Sequence, residues 1–242
     1  MVRWRNLALA ALALSACDDA TAPDDGLQRF AFDFDDGTQG WEAGFADYPV
    51  GEDEEYELDA AHEPLPDPLD QNRGGFRLTG YNYSDDLLMY LKRPIDDLEP
   101  NRMYRIAFDV EFATAAPSGC SGTGGAPGES VFVKAGASDV EPVSEEEDGY
   151  NRINIDIGNQ AEDGEKGLVL GDIANSNTNC DEPVYELKEL TSDPQVLTVQ
   201  ADDDGRLWLI VGIDSGFESL TSLWFSRVDV RLSPAEPQVS SK

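Results

Sequence analysis

The sequence predicts an all-β fold, an antiparallel β-sandwich of jelly-roll type, and three observations carry that prediction. From Arg29 onward apolar residues recur with a period of 2 rather than 3.6. Turn-forming pairs punctuate the alternating runs at short intervals. No convincing helical stretch exceeds a turn or two, the best being Glu186 to Leu190, so no helical layer is available to cover a sheet.

Taken in order, Phe30, Phe32 and Phe34 alternate with Ala31, Asp33 and Asp35 and run into the turn Asp36-Gly37. Gly74-Gly75 reads as a turn ahead of Phe76-Arg77-Leu78, and Leu87 to Leu91 follows. Past the turn Glu99-Pro100-Asn101, Tyr104, Ile106, Phe108, Val110 and Phe112 alternate with Arg105, Ala107, Asp109 and Glu111. The rhythm returns at Val131-Phe132-Val133, Ile153 to Ile157, Leu207 to Ile213 and Trp224 to Leu232, with turns at Asp148-Gly149, Asp163-Gly164 and Asp204-Gly205. Such runs are half-buried strands, apolar inward and polar outward. Roughly ten of them without helices imply two antiparallel sheets face to face. Two long irregular stretches break the rhythm: the acidic, proline-containing Gly44 to Asn72, and the Gly-rich Ala113 to Gly128. Loops of that length in a compact domain are usually functional or disordered.

The first residues have a different character. Arg3 and Arg5 precede Leu7 to Leu14, an apolar run of Leu and Ala that is too short to span a bilayer, for which roughly 20 residues are needed. It ends in Leu14-Ser15-Ala16-Cys17, which resembles the lipobox of bacterial lipoproteins. That resemblance implies a signal peptide over residues 1–16, lipidation of Cys17 and a membrane partner through the lipid anchor. Residues 17–27 then read as the lipidated cysteine and a flexible tether, 28–233 as a single sandwich domain, and 234–242 as a disordered tail. The chain has three cysteines, and an odd number in an exported protein asks for an explanation, which lipidation of Cys17 supplies. Cys120 and Cys180 remain, and an oxidising compartment favours their pairing over two separate thiols. A bridge there would tie the Gly-rich loop to Asn175 to Asp181.

Acidic side chains number 49 against 17 basic ones, for a net charge of −32. Such a field repels nucleic acid, which is not an expected partner, as well as anionic lipid head groups. It suits cation binding, or solubility in a saline habitat.

The segment Phe34-Asp35-Asp36-Gly37-Thr38-Gln39-Gly40-Trp41 resembles the opening strand and turn of galactose-binding-like carbohydrate-binding modules. Leu98 to Tyr104 resembles the turn before their central strand, and Arg227 to Val230 their closing strand. The resemblance implies a structural Ca²⁺ held by Asp35 and Asp229, although Asp stands where those modules usually have Glu. Calcium takes 6 to 8 oxygen ligands, so carboxylates from two adjacent strands suit it. For a polysaccharide ligand, aromatics can stack on a sugar ring while charges and amides bond its hydroxyls. Tyr90, Arg105, Asp109 and Trp208 fall on outward positions of the alternation, and Trp41 and Tyr81 lie at loop edges.

Enzymatic chemistry finds little support. The only histidine is His62, no G-x-S-x-G elbow is present, and the Gly-rich loop lacks the Lys-Ser/Thr ending of a phosphate-binding loop. The expectation is a lipid-anchored protein of the bacterial cell envelope carrying a non-catalytic binding sandwich, most naturally for carbohydrate. A polysaccharide lyase or hydrolase is the alternative, since a carboxylate pair is always available among so many acids. A third reading is an adhesion or assembly protein that binds another protein.

Overall fold

A computed structural model describes residues 26–83, 86–193 and 195–235. Fifteen strands are found among them. They are β1 (Gln28–Asp33), β2 (Glu42–Ala46), β3 (Tyr48–Pro49), β4 (Asp59–Pro64) and β5 (Gly74–Tyr81), then β6 (Leu87–Ile95), β7 (Met103–Thr114) and β8 (Val131–Ser138). After these come β9 (Ser144–Glu147), β10 (Tyr150–Ile153), β11 (Gly167–Asp172), β12 (Glu186–Thr191), β13 (Leu197–Gln200), β14 (Leu207–Ser215) and β15 (Leu220–Pro234).

Two antiparallel sheets face each other. In the seven-stranded sheet β15 is the spine, with β7 along one side. On its other side the first half of β15 pairs β5 and the second half pairs β1. The far edge of β7 is likewise shared by β12 and β13. The five-stranded sheet runs β11-β8-β14-β6-β2. Between the sheets lie Leu78, Phe108, Phe112 and Phe225 from one side and Met89, Leu91, Val133, Leu209 and Ile213 from the other, all buried. Each such side chain is worth about 1.5–3 kcal/mol when fully removed from water. The fold is therefore the all-β sandwich of jelly-roll type that the alternation predicts.

Several local expectations are corrected. Glu186 to Leu190 is strand β12, because it takes an antiparallel place against β7 and alternates half-buried with exposed residues. Gly74-Gly75 opens β5 instead of turning: both glycines are buried, and a side chain at either would strike neighbouring atoms, the Phe34 carbonyl oxygen among them. The stretch Gly44 to Asn72 contains β3 and β4. Of Ile153 to Ile157 only Ile153 is in a strand, and Ile155 and Ile157 pack onto the outer face of the five-stranded sheet. That last difference decides what the outer face can do.

Candidate functional site

The bridge between Cys120 and Cys180 is formed, with Cα atoms 5.8 Å apart, and it closes a 60-residue separation. In the chain-entropy view a loop of that size stabilises the fold by about 4 kcal/mol. It straps the Gly-rich loop to the segment before β12, and next to the strap lies a cleft of about 350 Å³, within the size range of ligand sites. Tyr185 and Phe217 supply aromatic surface to it, and Ser219 and Ser222 supply hydroxyls. Tyr185 is steadied edge-on by Trp224 at 5.2 Å, whose indole nitrogen donates to Glu63 at 3.1 Å. Phe217 is steadied by the Gly-rich loop, which lies flat on its ring: a Cβ at Gly122 would sit 2.3 Å from Cε2 of Phe217. Backbone bonds from Gly216 to Ser130 and from Glu218 to Thr123 knit the two loops together. Thr221, also in the wall, has its hydroxyl buried away from the cleft space with no hydrogen-bond partner among the described residues. The cleft is thus a fixed surface that pairs ring stacking with hydroxyl recognition.

The ligand residues read from the alternation do not converge. Tyr90 and Trp208 stand on the outer face of the five-stranded sheet, whereas Arg105 and Asp109 stand on β7 in the seven-stranded sheet, on the opposite side of the sandwich. Tyr90 is 1 % exposed, packed among Leu88, Ile155, Ile157 and Ile210, so it is not a ligand-facing residue. Its ring lies directly on Gly44, where a Cβ would be 2.3 Å from Cζ. Trp41 is likewise core, 2 % exposed and edge-on to Phe32 at 5.4 Å. Trp41 does stand at a loop edge, just ahead of β2, but its ring is turned into the core. Asp109 is committed to Arg231 at 3.1 Å, and Trp208 is half-buried with the Lys92 ammonium 5.5 Å from its ring. Tyr81 is not among the residues that line the cleft: it is the cross-strand partner of Leu220 on β5 and stacks on Tyr83 at 4.3 Å.

Asp35 and Asp229 are also kept apart. Asp229 pairs with Ala31 in β1, whereas Asp35 lies beyond the end of that strand. Asp35 meets Arg73 at 3.4 Å and Asp229 meets Arg227 at 3.1 Å. Each of the two carboxylates thus has an arginine partner of its own, and no group of three His, Cys, Asp or Glu side chains placed to hold a metal is found among the described residues. His62 has its Nε2 2.7 Å from the Phe34 carbonyl oxygen, an N–H donor contact and not a nucleophile–base pair. Cys17 and residues 1–16 lie outside the described residues.

A second cluster, under the covering segment, escaped the sequence reading. Asp214 is 2 % exposed on β14 and hydrogen-bonds Asp86, whose Oδ2 accepts from Asn159 at 3.0 Å. Burial and then the charge of Asp86 push the Asp214 carboxyl up to about 8, so the pair shares a proton at neutral pH. Burial pushes Lys134 down; its ammonium donates to the carbonyl oxygens of Gln160 at 3.0 Å and Glu162 at 2.6 Å. Asp47 is also pushed up by burial, against the opposing pull of Arg152 at 2.7 Å. These groups pin the covering segment onto the sheet.

No family model matches the sequence, and no curated protein matches it. Among solved structures the chain is similar to the K1 cleaved adhesin domain of Lys-gingipain from Porphyromonas gingivalis W83, at 9 % identity over 84 % of this chain and 97 % of that one, with a TM-score of 0.38. It is similar to a putative sugar binding protein from Bacteroides thetaiotaomicron VPI-5482, at 14 % identity, 84 % and 92 % coverage and a TM-score of 0.38. A third is the mannan-recognising carbohydrate-binding module TmCBM27, at 10 % identity, 87 % and 99 % coverage and a TM-score of 0.37. These likenesses are remote; the sandwich rests on the strand register itself.

Proposed function

We propose that this chain is a non-catalytic binding protein of the bacterial cell envelope, held there by a lipid on Cys17, and that its β-sandwich takes a carbohydrate in the cleft beside the Cys120–Cys180 strap. The observation that carries the reading is the cleft itself, with the rings of Tyr185 and Phe217 fixed beside the hydroxyls of Ser219 and Ser222. An aromatic plane suits the C–H face of a sugar, and neighbouring hydroxyls suit its polar edge. None of the cleft-lining residues is an acid, a histidine or a lysine, which favours binding over acid–base turnover there. The anchor is supported by the Leu14-Ser15-Ala16-Cys17 motif and by the cysteine left over from the bridge.

A glycan panel tests the cleft. Tyr185→Ala and Phe217→Ala should each weaken binding of the recognised glycan roughly tenfold, the cost of about one stacking contact, and incubation should release no reducing or unsaturated ends. Chain shortening that stops in a single-carboxylate variant would instead establish the enzyme. For the anchor, Cys17→Ser should move the protein out of the membrane fraction, and retention there after a high-salt wash would refute lipidation.

A further inference from the structure

In a chain with 49 acidic side chains, carboxylates are plentiful partners, and the arginines use them. Among the described residues every arginine but three forms a carboxylate ion pair. Arg93 is one exception and lies over the Phe32 ring at 4.4 Å. The other two, Arg29 and Arg105, are both exposed, have no carboxylate partner among the described residues, and line the same cleft. That cleft, about 210 Å³, is on the outer face of the seven-stranded sheet where β1, β15 and β7 adjoin, and Arg231 is a third wall. Arg231 stands directly across from Arg29. Like charges opposed across strands destabilise a sheet, and only Arg231 is relieved, by Asp193 at 2.7 Å and Asp109 at 3.1 Å. The remaining lining is Leu27, Ala107, Val196 and Ser233, with no acid among them.

We propose that the cleft of Arg29, Arg105 and Arg231 is a carboxylate-binding site that seats the acidic group of a uronate-type sugar. The guanidinium is a planar fork that matches a carboxylate with two parallel hydrogen bonds. The apolar floor fits the body of a ring, which a bare inorganic anion would not use. The chain's overall negative charge does not cancel the site, because at physiological salt a field decays over about 8 Å and the nearest groups dominate. The apolar lining of Leu27, Ala107 and Val196 is what favours a sugar ring over a lipid head group, whose charge alone would meet the arginines. This inference rests on the carbohydrate reading but on a different part of the molecule.

The test compares binding of polygalacturonate and its methyl ester, which differ in the free carboxylate alone, to the purified chain. The chain should prefer the free acid at least tenfold. Arg29→Gln/Arg105→Gln should abolish the preference without lowering the melting temperature, since both side chains are exposed and Arg29 opposes a like charge. Arg206→Gln/Lys166→Gln, which removes equal charge elsewhere, should keep it. Equal affinity for acid and ester, an equal loss in the charge-matched control, or binding to phosphatidylglycerol vesicles without binding to the polymer would each overturn the site. If neutral glycans still bind and respond to Tyr185→Ala, only the arginine cleft has failed. If the acid preference holds while Tyr185→Ala changes nothing, the strap cleft has failed instead.

Discussion

The two outer faces of the sandwich have opposite fates. On the seven-stranded sheet the outward residues form a lattice open to water: Arg77 with Glu63 and Asp59, Arg227 with Glu189, Arg231 with Asp109 and Asp193. On the five-stranded sheet the outward residues Tyr90, Lys134 and Asp214 are roofed by the segment around Ile155 and Ile157, and all three are nearly inaccessible. An outward position on a strand is therefore a statement about the sheet alone. Whether it meets water depends on what crosses over it. The roofed face must neutralise or satisfy its charges, as Asp214 does by holding a proton, whereas the open face leaves its charges to each other and to solvent.

The contrast can be broken most forcefully at the aromatic residues. Tyr90→Ala should destabilise the fold by about 3–5 kcal/mol in denaturant titration, as for a large buried ring, whereas Arg105→Ala on the open face should change it by no more than about 0.5 kcal/mol. Similar small costs for both would mean that the roof is not closed.

The strap comes next. Replacing Cys120 and Cys180 together by serine should cost about 2–4 kcal/mol and, because it frees the loops that bear Tyr185 and Phe217, should weaken glycan binding along with stability. Loss of stability without loss of affinity would show that the cleft does not need the strap.

Asp214 sharpens the comparison through pH. Its ordinary value is near 3.8 and the folded value is raised to about 8. The folded state thus binds a proton that the unfolded chain has released, and this favours folding only where the proton is held. Stability from this group should fall as pH rises from about 4 to about 8, by at most ~1.4 kcal/mol per pH unit, and level off above. Asp214→Asn should flatten that slope, whereas Asp229→Asn on the open face should not. An unchanged slope in Asp214→Asn would assign the proton elsewhere.

The smallest effect belongs to the open lattice. Arg227→Ala should cost less than about 1 kcal/mol at low salt and less still in 1 M salt, where exposed pairs are screened.

Much of the architecture was legible in the sequence because alternation reports directly on the two sides of a strand. The runs at Tyr104 to Phe112 and Trp224 to Leu232 are β7 and β15, with their inward residues buried as the pattern requires. Cysteine arithmetic likewise leads to the Cys120–Cys180 bridge, because covalent pairing of two remaining thiols needs little geometry to anticipate. Of the strap cleft, its two loops were legible through their composition. Tyr185 and Phe217 were not, although a phenylalanine in the turn Ser215-Gly216-Phe217 was a signal, since an aromatic at a turn is seldom there for water.

Tertiary structure alone decided the rest. Strand order gave Asp35 and Asp229 separate arginine partners and put Arg105 and Tyr90 on opposite sides of the molecule, because pairing and register join residues distant in the chain and leave no local trace in it. The roof over the five-stranded sheet turned three polar or amphipathic positions into interior ones. Composition could not foretell this, because burial depends on which segment packs where. The pairing of Arg29 with Arg105 around one cleft arises in the same way, from strands β1 and β7 that flank β15 yet stand far apart in sequence.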